Sequence, residues 1–136
     1  MLGLNQDYPL LLPTILEHGA TNFGTTEVVS HGRGESVRTD YARTAIRARR
    51  LADSLRRIGI GPDDFVGSLA WNSHRHLELF YGVSGVGAAL HTANPRLAPD
   101  SIVYTINFTG YRTLFIDLDT LALAEELAPQ LETVRE

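Results

Sequence analysis

The run Phe65-Val66-Gly67-Ser68-Leu69-Ala70 constrains the fold of this chain more than any other stretch. It is uncharged, mostly apolar and free of polar alternation, which fits a strand covered on both faces. It breaks into Trp71-Asn72-Ser73, where Asn72 or Ser73 can cap a helix with Leu77, Phe80, Tyr81 and Ser84 on one side. That helix ends in Gly82, Gly85 and Gly87, small residues that would let it pack closely on a sheet. Ala88-Ala89-Leu90-His91 reads as a second strand, Pro99 to about Thr109 as a helix, Thr113–Ile116 as a third strand and Leu121–Leu131 as a helix, with Thr133-Val134 beginning a further strand. Strands alternating with helices at this spacing imply βαβ units, a parallel sheet and right-handed crossovers.

Upstream the pattern differs. Leu10–His18 reads as a short helix stopped by Gly19. Glu27–His31 and Ser36–Arg38 are short extended segments around Gly32-Arg33-Gly34, a hairpin signal. Thr39 or Asp40 caps a helix from Tyr41 to Ile58, with Ala45, Ala48, Leu51, Ala52, Leu55 and Ile58 forming its buried face. Gly59 and Gly61-Pro62 end it. The expected class is therefore α/β: a partial three-layer αβα unit whose parallel sheet is built from βαβ units, preceded by a small β-hairpin.

What the chain lacks narrows its chemistry. Its 136 residues make one domain or part of a larger one. With no Cys, disulfides, thiolate metal sites and a Cys nucleophile are excluded. All 12 basic residues are Arg, so no lysine can clamp a phosphoryl group or form a Schiff base. A net charge of −4 argues against a nucleic-acid partner. The start, Met1 to Asp7, has no basic segment before an apolar one, and Leu79–Pro95 is too short and polar to span a bilayer, so neither a secretory signal nor a transmembrane segment is expected. A reducing cytoplasm suits this composition.

Polar groups gather just past two strand ends, where open α/β sheets bind ligands. Trp71 and Asn72 follow the first strand; His91, Asn94, Pro95 and Arg96 close the second. Arg96 is the best ligand candidate, because a planar, permanently charged fork in a loop suits phosphate or carboxylate. The plainer alternative is a salt bridge to Asp100 or another nearby acid. His91 has no visible Ser, Cys or acid partner and reads as a hydrogen-bonded structural residue. His74 and His76 lie two apart and do not share a helix face, so no metal site is assigned. The arginines of the Tyr41–Ile58 helix, Arg43, Arg47 and Arg50 among them, read as a solvated face rather than a phosphate stripe. Gly32-Arg33-Gly34 lacks the third glycine and following helix of a dinucleotide fingerprint. Gly24-Thr25-Thr26-Glu27 lacks the lysine of a phosphate loop.

Three segments then carry a resemblance: Gly59-Ile60-Gly61-Pro62-Asp63-Asp64-Phe65-Val66, Ala70-Trp71-Asn72-Ser73-His74-Arg75-His76-Leu77-Glu78, and Gly85 through His91-Thr92-Ala93-Asn94-Pro95-Arg96-Leu97. Together with Leu114–Asp117 and Leu127–Leu131 they resemble the N-terminal region of AMP-forming acyl-CoA synthetases, of the medium- and long-chain fatty-acid–CoA ligase type, over roughly Tyr8 to Arg135. The resemblance implies a parent enzyme that uses ATP, Mg²⁺ and coenzyme A to turn a fatty acid into its acyl-CoA through an acyl-adenylate. It makes residues 1–136 a portion of the N-terminal subdomain, with the catalytic core and C-terminal domain lying outside. The family's phosphate loop with its Pro-Lys-Gly, its adenine and Mg²⁺ segment, its ribose-binding Asp and its mobile lysine have no counterpart here. No catalytic residue, metal ligand or cofactor bound by this chain alone is therefore assigned, and the chain is expected to be inactive by itself. Arg96 is carried over as a contact for a phosphate of coenzyme A, with Trp71, Asn72, His91, Asn94 and Pro95 as the structural loop around it. Ser84 departs from the family, which tends to have Pro there. The abrupt end at Glu136 suggests a fragment, whose partners would be the remainder of the synthetase and further copies of itself. The alternative is a self-standing α/β interaction or dimerisation module derived from that subdomain. An unrelated receiver-type domain would need an acidic cluster after its first strand, which Trp71-Asn72 does not supply.

Overall fold

A computed structural model describes residues 3–4, 7–32 and 34–135, and of Glu35 the main chain alone. The chain begins with α1 (Pro13–Asn22), then the strands β1 (Glu27–Gly32) and β2 (Glu35–Asp40) and the helix α2 (Tyr41–Arg57). Next come β3 (Phe65–Leu69), α3 (His74–Gly85), β4 (Ala89–Ala93), α4 (Pro99–Thr109), β5 (Leu114–Ile116) and α5 (Leu121–Leu127). A 3-10 turn, Leu118–Thr120, precedes α5 and another, Ala128–Gln130, follows it.

β1 and β2 pair antiparallel, from Glu27 with Asp40 to Gly32 with Glu35, as the expected hairpin. Arg33 of its turn lies outside the described residues. The other strands form a parallel sheet in the order β4-β3-β5. β3 pairs with β4 from Phe65–Ala89 to Leu69–Ala93, and with β5 from Gly67–Leu114 to Leu69–Ile116.

This strand order explains the layers. The chain leaves β3 for one edge, then returns from β4 across β3 to the other edge. Right-handed crossovers in opposite directions place α3 and α4 on opposite faces. The core follows this arrangement. Val66 packs with Ala52 and Leu55 of α2 and Leu79 and Val83 of α3. Leu69 packs with Ile102 and Ile106 of α4, Tyr111, Leu114 and Leu127. The expected αβα layering is present, and β3 reads as a continuous apolar run because helices cover both its faces.

Several expectations are corrected. α1 starts at Pro13, not Leu10, because Pro suits the first helical turn. It runs through Gly19, which packs against the Tyr41 ring instead of ending the helix. Ile58 is 59% exposed rather than part of the α2 core face, since the helix stops at Arg57 and Gly59 turns the chain with φ +87°. The buried stripe of α3 is Glu78, Leu79, Gly82 and Val83, while Phe80 turns outward. Gly82 meets α2 rather than the sheet: a Cβ there would lie 2.9 Å from Leu51 Cδ2. The last helix stops at Leu127, ahead of a 3-10 turn containing Pro129, which has no N–H to continue the ladder. Thr133-Val134 is not a strand; Thr133 Oγ1 donates to the Tyr111 carbonyl and Val134 packs on the α4–α5 core. Ser84 leaves α3 intact and donates its hydroxyl to the Phe80 carbonyl at 2.8 Å.

Candidate functional site

The topology opens a groove. β3 and β4 are neighbours, yet the loop after β3 leads to α3 on one face and the loop after β4 leads to α4 on the other. Loops that diverge at adjacent strand ends leave a crevice between them, the usual ligand position in open parallel sheets. Here a groove of about 820 Å³ lies at that point. Ala70–Ser73, His74, His76, Leu77 and Phe80 line one side and Thr92–Arg96 another. Val28, Val29 and Ser30 of the hairpin close it. The volume suits a drug-sized ligand or larger.

Trp71, Asn72, Asn94, Pro95 and Arg96 therefore come together, as their placement past two strand ends predicts. His91 does not line the groove: it sits in mid-strand, where its Nδ1 lies 3.3 Å from the Tyr111 hydroxyl. Burial pushes the His91 pKa down and the Tyr111 pKa up, so both stay neutral partners. The Tyr111 ring reaches across β3 because Gly67 has no side chain; a Cβ at Gly67 would overlap the ring. Tyr111 and Gly67 are the part of this arrangement that single-residue reading missed, although a glycine inside an apolar strand signals close approach.

Arg96 lies with its Cζ 5.3 Å from the centroid of the Trp71 ring, a cation–π stack. Among the described residues its guanidinium has no carboxylate partner, so the expected bridge to Asp100 does not form. Its backbone is fixed by Asn94, whose Oδ1 accepts from the Arg96 N–H at 2.9 Å. This side-chain turn, with Pro95 inside it, explains the Asn-Pro-Arg sequence locally.

Two backbone donors at the start of α3 are taken up by side chains of the protein. Ser73 is the N-cap and accepts from the His76 N–H, while Ser30 of the hairpin accepts from the His74 N–H at 2.6 Å. These donors are therefore not open to an anion. The Nδ1 of His74 is buried without a hydrogen-bond partner among the described residues. His76 points inward: its Nε2 lies 3.0 Å from Oγ of the buried Ser68. Burial lowers the His76 pKa, against the opposing pull of Asp117 and of the Trp71 main chain. Asp117, at the end of β5, also faces Arg75 at 3.7 Å.

Four of the six arginines of α2, Arg43, Arg47, Arg49 and Arg56, pair with acids, while Arg50 and Arg57 are exposed. Arg47 Nε donates to the buried Glu78 of α3 at 2.6 Å. Arg49 pairs with Glu17 of α1, and Arg43 with Asp40. Arg56 reaches Asp53 and the Gly85 carbonyl. The charge pattern alone could not find the pairs of Arg47 and Arg49, because their acids, Glu78 and Glu17, lie on other helices. Among the described residues no three His, Asp or Glu side chains gather to hold a metal, and no helix is long and apolar enough to cross a membrane.

With the fold and groove established, likeness to known proteins is informative. The chain is 42% identical over 136 residues to 3-methylmercaptopropionyl-CoA ligase of Ruegeria lacuscaerulensis, covering 99% of this chain and 25% of that protein. It is 45% identical over 130 residues to long-chain-fatty-acid–CoA ligase of Thermus thermophilus, covering 95% of this chain and 24% of that protein. The solved structure of a Mycobacterium tuberculosis fatty acyl CoA synthetase superposes with a TM-score of 0.74 at 26% identity, over 90% of this chain and 25% of that one. The chain thus spans about a quarter of the length of the relatives it matches. The sequence profile of the AMP-binding enzyme family matches residues 16–136, and the chain belongs to that family.

Proposed function

We propose that this chain supplies the N-terminal subdomain of an ATP-dependent acid–CoA ligase and that Arg96 contacts a phosphate of coenzyme A in the complete enzyme. The carrying observation is the Arg96 guanidinium, held on the Trp71 indole at the groove mouth with no carboxylate partner among the described residues. A fixed, unneutralised, planar cation beside a groove of this size is suited to a phosphorylated ligand. The whole enzyme would join a fatty acid or similar carboxylic acid to coenzyme A, releasing AMP and pyrophosphate. ATP and Mg²⁺ would be used by the parent enzyme outside this chain. With no lysine in the sequence and no metal-ligating cluster among the described residues, no adenylation step is assigned to residues present here. The isolated chain is accordingly inactive, and its setting is the cytoplasm.

The test is Arg96→Ala in the complete enzyme. The expected result is a raised Michaelis constant for coenzyme A, by about fivefold for the loss of one partly exposed charged contact. An unchanged constant would sink the assignment.

A second reading is a self-standing interaction module that assembles with copies of itself. It is favoured by the apolar surface outside the core. Tyr104 and Phe108 stack on each other on α4 while 66% and 81% exposed. β4 and β5 each leave one edge of the three-stranded sheet open among the described residues. Open edges and apolar patches invite association. Light scattering that finds only monomer at high concentration would count against it.

A further inference from the structure

We propose that His76 is a positioning residue for the Trp71–Arg96 shelf, fixing the Trp71 loop from beneath while Asn94 fixes Arg96 from the other side. The shelf joins two loops that diverge to opposite faces of the sheet, so its geometry depends on anchoring each loop separately. The Arg96 anchor is the side-chain turn in which Asn94 Oδ1 accepts from the Arg96 N–H. The Trp71 side has no comparable turn of its own. Its support comes from α3.

His76 is the third residue of α3, and its backbone N–H is held by the Ser73 cap. That cap aims the imidazole back towards β3. The ring then reaches the central strand. Its Nε2 lies 3.0 Å from Ser68 Oγ, which is fully buried on β3. This contact closes the chain between Ser68 and His76 into a loop, and Trp71 lies on that loop. The ring therefore ties the rigid centre of the sheet to the segment whose indole carries Arg96. A serine in an otherwise apolar, doubly covered strand has this bond as its physical reason, since an unpaired hydroxyl at that depth would be destabilising.

The functional half of this inference rests on the coenzyme A reading of Arg96; the structural half does not. Trp71 is the single tryptophan of the chain, so intrinsic fluorescence of the 136-residue protein reports on the shelf directly. Arg96→Ala is expected to change the Trp71 emission in the native background, because it removes the guanidinium from the ring face. In a His76→Ala background the same substitution is expected to change nothing, because the indole has already left the guanidinium. His76→Gln, which keeps a donor and an acceptor, is expected to restore the coupling in part. Should His76→Ala lose its far-ultraviolet circular dichroism, Ser68→Ala replaces it, with the same outcome expected. An Arg96→Ala emission change of equal size in both backgrounds overturns the proposal.

In the complete enzyme, His76→Ala, Arg96→Ala and the double variant are expected to raise the Michaelis constant for coenzyme A by the same factor, about fivefold, with no added effect in the double variant. The constant for ATP should hold. If the fluorescence coupling is present and Arg96→Ala leaves the coenzyme A constant unchanged, the coenzyme A reading fails and the positioning role stands. If the coupling is absent, the positioning role fails whatever the kinetics give.

Discussion

On one face of β3 lie Val66 and Ser68; on the other lie Gly67 and Leu69. Both faces are buried, and each brings a histidine close to the strand. On the Gly67 face an absent side chain admits the Tyr111 ring, whose hydroxyl meets His91 of β4. On the Ser68 face a small hydroxyl meets His76 of α3. The first arrangement is steric: it closes the sheet in mid-strand, away from the groove. The second is polar: it ties the strand to the loop that carries Trp71. The contrast teaches that alternate residues of one short strand can serve packing and site geometry separately, because their side chains point to opposite layers.

The sharpest way to break this comparison is Gly67→Ala. The added methyl overlaps the Tyr111 ring, and neither the central strand nor the buried tyrosine has room to yield. The expected loss is about 3 kcal/mol, read as a fall in the urea midpoint. A loss below about 1 kcal/mol would mean that the ring is not seated on the strand as described.

A smaller effect separates the two histidines by pH. Burial holds both below the ordinary histidine value of about 6.5. The unfolded chain then binds more protons than the folded one between the lowered values and 6.5, so stability rises with pH across that window. The contribution of each neutral imidazole is complete above about 6.5 and is lost as pH falls through the window. His76→Gln and His91→Gln should each flatten the acid side of the stability profile. Asp117 favours the charged form of His76, and no such carboxylate favours it at His91. Equilibrium unfolding measured across pH 4 to 8 checks this, and a profile unchanged by either substitution would refute it.

The smallest expected effect is that of Tyr111→Phe. It keeps the ring over Gly67 and removes one hydrogen bond of 3.3 Å to His91. A cost of about 0.5–1 kcal/mol is expected in the same unfolding assay. A loss approaching that of Gly67→Ala would show that the hydroxyl, not the ring, holds this face together.

Much of this architecture is legible residue by residue. The apolar run at Phe65–Leu69, the cap at Ser73, the proline opening α4 and the hairpin around Gly32 and Gly34 each act through local geometry, so the chain carries their signals within a few positions. Bounds were less legible where a residue had a tertiary use. Gly19 lies inside α1 because it faces Tyr41, and Gly82 turns α3 towards α2 because Leu51 needs the space. The pairing of Arg47 with Glu78 spans two helices and 31 positions, which no helical periodicity can encode.

By itself the sequence determined that the chain forms βαβ units, that it has no lysine or cysteine chemistry, and that polar groups gather beyond two strand ends. It also carried the likeness to acyl-CoA synthetases, because that likeness lies in the residues themselves. Only the tertiary structure decided that β4 and β5 flank β3, so that the loops carrying Trp71 and Arg96 diverge and leave a groove. Only it set Arg96 on Trp71 rather than on Asp100, and sent His91 to Tyr111 and His76 to Ser68. The physical reason is range. Caps, turns and periodicity act over a few residues, whereas strand order and the partners of a charged or titratable group are set by segments 8 to 47 positions apart that meet only when the layers close.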